Sequence, residues 1–184
     1  ASTVGTPLAG IGNMPTRLFG RTGLELPILA YGSAPLMTWE DDYYGIGSGT
    51  HEDRVKMVRL GYEKGLRYFD TARIYGDSEK IFGEALGDVR KEIYVASKVL
   101  VGSAGEVRKS VEESLATLKM DKVDCMQLHG PVIEQQGYDG CMPFVEELVK
   151  MRDEGLFTWI GLTGHSRFEE MYKLIATNTF DTLL

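Results

Sequence analysis

Short apolar runs alternate with stretches of helical periodicity along nearly the whole chain, and this alternation limits the available folds more than any other feature. Ile28 to Tyr31 reads as a strand. Glu52 to Lys64 reads as a helix with Val55, Val58, Leu60 and Tyr62 on its apolar side and Gly65 at its stop, and Leu66 to Phe69 is the next strand. Ser78 is placed to cap a helix through Leu86 with Gly87 at its end, and Ile93 to Ala96 is the third strand. Glu106 to Lys119 sets Val107, Val111, Leu115 and Leu118 at helical spacing. Val123 to Leu128 is a strand, Pro143 to Arg152 a helix with its proline in the first turn, and Phe157 to Leu162 a fifth strand. Ser166 caps a further helix, Phe168 to Ala176, and Phe180 to Leu184 starts a sixth strand. Strands this continuously apolar are buried on both faces. The pattern therefore predicts a parallel sheet with right-handed helical crossovers, either open or curled into a barrel. Ahead of it, Arg17 to Pro27 carries two short apolar segments around Thr22-Gly23 and predicts a β-hairpin.

Composition narrows the class of partner. With 184 residues and 43% apolar content the chain can bury a sizeable core as one domain. Its 20 basic and 27 acidic residues give a net charge of −7 without long like-charged blocks, which argues against an extended nucleic-acid or membrane surface. No apolar run approaches the roughly 20 residues of a membrane span. Cys125 falls within a strand and Cys141 opens a helix, so both read as reduced packing residues, and neither a disulfide framework nor a metal site is indicated. Residues 1–13, Ala1 to Asn13, are small and polar and precede Met14. They read as a linker, a tag remnant or the tail of a processed leader, and residues 14–184 as the folded domain. A cytoplasmic location is expected, with a secreted or periplasmic one left open by that segment.

The chemistry gathers where strands run out. Asp70 ends the second strand and Tyr75 follows five residues later, Lys98 closes the third strand, and His129 closes the fourth. Parallel α/β folds keep their chemistry at such positions. Each residue alone has an ordinary structural reading: a turn-forming Asp, a packing Tyr, a solvated Lys, a His that satisfies a turn. Four of them on three successive strand ends point to one shared mouth. There an ammonium beside a phenol favours the ionised phenol, a carboxylate can fix the lysine, and an imidazole can orient a substrate oxygen. That set suits acid catalysis of carbonyl reduction. Two rival readings stand beside it: a Schiff-base aldolase or lyase using Lys98, and a non-catalytic module that senses nucleotide. Long connections at Ser33 to His51, with Trp39, Tyr43 and Tyr44, and at Gly130 to Gly140, with Tyr138, are expected on the same face as pocket walls or lid.

The run Phe69-Asp70-Thr71-Ala72-Arg73-Ile74-Tyr75-Gly76 resembles the Asp-Thr-Ala-x-x-Tyr-Gly signature of the aldo-keto reductases, Ser97-Lys98 their strand-three lysine, and Gln127-Leu128-His129 their strand-four histidine. The hairpin from Arg17 to Pro27 is similar to the plug at the base of many members, and the resemblance spans Thr16 to Leu184. It implies a TIM-type (β/α)8 barrel, here with a hairpin and about six of eight strands, that reduces an aldehyde or ketone with NADPH or, less often, NADH. Carried over by position, Tyr75 is the general acid, Lys98 and Asp70 tune it, and His129 orients the small carbonyl substrate. Gly32, Ser33, Asp70, Thr163 and Gly164 face the cofactor, and no metal is implied. Thr163-Gly164-His165 departs from the Ser-Asn that many members use to hold the carboxamide. Six strands leave unpaired edges, so the resemblance also implies weak dinucleotide binding, and either a piece of a longer reductase or a sheet completed by another segment or a second copy.

Overall fold

The computed structural model describes residues 14–37 and 49–184. The predicted hairpin is present as β1 (Thr16–Leu18) and β2 (Glu25–Pro27), antiparallel and joined by a 3-10 turn at Gly20–Thr22 that Gly23 closes at φ 74. The other strands are β3 (Ala30–Gly32), β4 (Tyr68–Asp70), β5 (Tyr94–Val99), β6 (Cys125–Leu128), β7 (Trp159–Leu162) and β8 (Thr182–Leu183). They form one curled parallel sheet in strict chain order, the incomplete (β/α)8 barrel that the sequence implies. The crossovers carry helices α1 (His51–Glu63), α2 (Ser78–Leu86), α3 (Val107–Leu118), α4 (Gly130–Asp153) and α5 (Phe168–Ala176). None of these is long and apolar enough to cross a membrane.

Strand alternation sorts the side chains into two populations. Phe69, Val95, Val99, Met126, Leu128, Ile160 and Leu162 point outward into the core beneath the helices. Phe69 sits edge-on to Phe82 of α2 at 5.8 Å and stacks on Tyr31, so this side holds the dense apolar packing. Each such fully buried side chain contributes about 1.5–3 kcal/mol. The alternate residues point inward, where Tyr68, Tyr94, Ala96 and Cys125 meet Leu26 of the hairpin with Phe19 and Trp159 beside them. Tyr68, Tyr94, Cys125 and Trp159 each begin their strand, so the hairpin closes the N-terminal end of the sheet. The next inward positions, toward the C-terminal end, are Asp70, Lys98 and Gln127, which are polar.

Several local expectations are corrected. Ile28 and Leu29 are exposed rather than buried in a strand, because the pairing of β3 begins only at Ala30 while the Ile28 amide still bonds Pro15 of the hairpin. Leu60 is 50% exposed, being out of phase with Val58, which faces the core. Ser78 does not cap α2: Asp77 holds that position without a side-chain bond, and the Ser78 hydroxyl meets that of Thr71 at 2.7 Å. Ser166 likewise bonds Glu134, and Arg167 in a left-handed conformation precedes α5. Gly130 to Gly140 is not an extended loop: α4 is two helical segments, the first started by Pro131 and broken at Gly137, whose backbone is non-helical (φ 64, ψ −174), and the second running on to Asp153. Cys141 and Pro143 therefore lie in the opening turns of the second segment, which begins a few residues earlier than the sequence predicts. The aromatics Trp39, Tyr43 and Tyr44 lie outside the described residues. Both cysteines are free and buried, and burial pushes the Cys125 thiol up to about 12 and the Cys141 thiol up to about 11.

Candidate active site

β4, β5 and β6 lie side by side, with Asp70 level with Ala96 and Lys98 level with Gln127. This register places Asp70, Lys98 and Gln127 on one face near the C-terminal end of the sheet. Lys98 is 2% exposed. Its ammonium donates to Asp70 Oδ2 and, at 2.8 Å, to the Thr71 carbonyl. Gln127 donates from Nε2 to Asp70 Oδ1 at 2.7 Å, so the carboxylate is held from two strands. Burial pushes Lys98 below the ordinary lysine value, and the Asp70 carboxylate beside it pulls the other way.

Tyr75 arrives from the loop after β4 and is half-buried. The Lys98 ammonium lies 4.9 Å from the centre of its ring, within cation–π range. On the other side the His129 ring meets Tyr75 edge-on, 6.0 Å between centroids and 82° between planes. His129 directly follows β6 and occupies the position before α4. Burial first, then the positive charge of Lys98 and the neighbouring His165, lower its imidazole from 6.5 to about 4, against a weaker pull from Glu134. It is therefore neutral near pH 7, with Nδ1 unpaired among the described residues. Asp70, Tyr75, Lys98 and His129 thus share one mouth.

The expected cofactor-side residues border it. The Ser33 amide bonds the Asp70 carbonyl at 3.0 Å, and the Ser33 hydroxyl is fully buried without a partner among the described residues. Gly32 pairs with Asp70, and a Cβ there would meet nothing within 4 Å, so a flat open surface lies beside the acid. Across the mouth, Thr163 Oγ1 accepts from the Gly130 amide at 3.2 Å, and among the described residues its own proton has no acceptor. A Cβ at Gly130 would stand 2.9 Å from Gly164 Cα, which shows how closely this turn packs behind His129. The Ser33 and Thr163 hydroxyls and the open glycine surface fit the amide and ribose groups of a nicotinamide.

The sequence profile of the Aldo/keto reductase family matches residues 31–182. The chain belongs to the aldo/keto reductase family. It is 33% identical over 160 residues to the L-galactose dehydrogenase of Arabidopsis thaliana, covering 80% of this chain and 48% of that protein. It is 30% identical over 155 residues to the NAD(P)H-dependent 6'-deoxychalcone synthase of Glycine max, covering 78% and 45%. The chain thus spans about half the length of these relatives. Among solved structures, an aldo/keto reductase from Klebsiella pneumoniae in complex with NADP and acetate is 26% identical with a TM-score of 0.67, over 87% of this chain and 53% of that one. A thermostable aldo-keto reductase in complex with the inhibitor epalrestat is also 26% identical, with a TM-score of 0.73 over 89% and 58%.

Gln127 is a site residue that strand-end reasoning passes over. Its only signal in the sequence is polarity inside an apolar strand, two residues before His129 and so on the same face. Glu79 and Ser97, both buried, are similarly inconspicuous.

Proposed function

We propose that this chain carries the acid-catalytic half of a carbonyl reductase, with Tyr75 as proton donor, Lys98 and Asp70 as its tuning pair and His129 as the residue that orients the substrate oxygen. The observation that carries this reading is the Lys98 ammonium, fixed by Asp70 and the Thr71 carbonyl and set 4.9 Å from the Tyr75 ring. Gly32, Ser33, Asp70, Thr163 and Gly164 would hold the nicotinamide end of NADPH, or of NADH, which when bound supplies the hydride to the carbonyl carbon. The Tyr75 O–H passes its proton to the carbonyl oxygen as the C=O π bond breaks, and an alcohol results. The phenolate left behind faces the Lys98 cation until solvent returns the proton. His129, neutral, donates a hydrogen bond to the same oxygen without competing as the acid. A small aldehyde or ketone is the substrate class, in keeping with the L-galactose dehydrogenase and the Klebsiella pneumoniae NADP complex among its relatives.

The test is consumption of NADPH absorbance with a panel of aldehydes, by the chain and by Tyr75→Phe. Loss of the proton donor lowers turnover by about 10²–10⁴-fold while cofactor binding persists. Equal turnover by the two proteins would remove Tyr75 from the reaction. A second reading has one observation in its favour: the depressed basicity of Lys98 suits a Schiff-base nucleophile. It ranks lower because the amine is held by Asp70 and Thr71 rather than open to a carbonyl. Borohydride trapping separates the two, since substrate-dependent labelling of Lys98 would select the lyase.

A further inference from the structure

Behind the mouth, on the outer face of the sheet, a second polar cluster joins the two segments that carry Tyr75 and Lys98. Glu79, the second residue of α2, is only 2% exposed. Its Oε1 accepts from the Ser97 hydroxyl at 2.7 Å, and Ser97 is the fully buried residue directly before Lys98. Its Oε2 lies 3.4 Å from Nη1 of Arg73, within the loop between Asp70 and Tyr75. Arg73 also reaches Glu113 of α3 at 2.9 Å, so the loop is pinned to two helices. Directly before Glu79, the bond between the Ser78 and Thr71 hydroxyls ties the start of the same loop to α2.

A carboxylate is costly to bury, and it persists here because two partners satisfy it. Those partners stand on the two backbone segments whose separation sets the distance from the Tyr75 phenol to the Lys98 ammonium. We infer that Glu79 is a positioning residue for the proposed proton transfer: through Ser97 and Arg73 it locks the Tyr75 loop against the Lys98 strand and keeps phenol and ammonium in register. This rests on the reading of Tyr75 and Lys98 as the acid pair. The competing explanation is that Glu79 merely complements the positive end of α2, as acidic residues in a first helical turn do. That role would lower stability and leave Tyr75 unchanged.

The two roles separate by titrating Tyr75 in the 184-residue chain. Its ultraviolet absorbance change with pH is isolated by subtracting the curve of Tyr75→Phe. Among the described residues, Asp70, Lys98 and His129 are the charged or titratable groups set around the phenol, with His165 and Glu134 beside His129, and none is altered by Glu79→Gln. Glu79→Gln keeps an acceptor for Ser97 but loses the charge that holds Arg73. The loop, still held by Glu113 and by the Thr71–Ser78 bond but no longer tied to the Lys98 strand through Arg73 and Glu79, loosens the hold of Lys98 on the phenolate, so the Tyr75 midpoint rises by about half a pH unit or more. Arg73→Met cuts the same link from the other end, gives the same rise and serves if Glu79→Gln does not fold. Combined, the two variants shift the midpoint by less than the sum of their separate effects. Where turnover is measured, kcat falls about tenfold and KM stays level. A folded Glu79→Gln or Arg73→Met with the parent Tyr75 midpoint would overturn the inference. Lys98→Met distinguishes the levels of failure. If it moves the midpoint and Glu79→Gln does not, the positioning role alone falls; if neither moves it, the acid pair itself is wrong.

Discussion

His129 allows the electrostatics of the mouth to be tested by acid. Its imidazole titrates at about 4 in the folded chain and at 6.5 when free of its surroundings, so the folded state refuses a proton that the unfolded state accepts. The sign follows from linkage: between about pH 6.5 and 4 the unfolded chain binds more protons, and stability falls as the pH drops through that window. Above it His129 is neutral in both states and the contribution is complete, and below about 4 the loss levels off. At about pH 5 the two values correspond to about 2 kcal/mol, which partial exposure of the ring trims to about 1–2 kcal/mol. The perturbation is His129→Gln, which removes the titrating group, and the assay is urea unfolding of parent and variant at about pH 7.5 and 5. The parent loses about 1–2 kcal/mol more than the variant over this step, because carboxylate titrations common to both cancel. The proton resonance of the His129 ring gives the midpoint directly, and Lys98→Met returns it toward 6.5 by deleting the second of its causes. A midpoint already near 6.5 in the parent, or equal acid sensitivity of parent and variant, would refute the account of burial and Lys98 acting on one ring.

Two further outcomes concern stability. Lys98→Met strands the Asp70 carboxylate with only Gln127 and costs about 3–5 kcal/mol by chemical denaturation, whereas the double variant with Asp70→Asn costs less than the sum of the two single changes; additivity would show that the pair is not coupled. Gly83→Ala would place a Cβ 2.5 Å from the Leu118 carbonyl oxygen and push α2 off α3, costing about 1–3 kcal/mol, whereas Gly87→Ala, with nothing within 4 Å and φ −58, gains about 0.4–1 kcal/mol. Equal effects at the two glycines would refute the packing argument.

The order of elements was readable because each strand is a compact apolar run and each helix keeps its period, two signals that survive any tertiary setting. What escaped reading is where tertiary contacts reassign a residue. Ser78 and Ser166 have the chemistry of helix caps, yet Thr71 and Glu134 claim their hydroxyls. Gly130, Pro131, Gly137 and Gly140 suggest a loop by composition, yet Pro131 is tolerated in a first turn and Gly137 supplies the positive φ of a one-residue break between two helical segments. For the site, strand ends marked Asp70, Lys98 and His129 because a charged residue after an apolar run is conspicuous. Gln127 and Glu79 were not conspicuous, since their meaning lies in register and in a cross-helix contact that no single stretch of sequence contains.

The same register explains why the acid cluster sits in the middle of the six-stranded sheet. Asp70, Lys98, Gln127 and His129 come from β4, β5 and β6, each paired on both sides by parallel neighbours. The six-stranded order ends at β3 on one side and β8 on the other, and apolar side chains near those borders, Ile28, Leu29, Leu183 and Leu184, are each more than half exposed. On one side β7 stands between β6 and the border strand β8, whereas on the other the border strand β3 pairs directly with β4, Gly32 against Asp70. Arg21 of the hairpin adds a clasp, bonding Asp181 at 3.0 Å together with the Asn178 and Phe180 carbonyls, so the element that floors β4 to β6 also restrains the approach to β8.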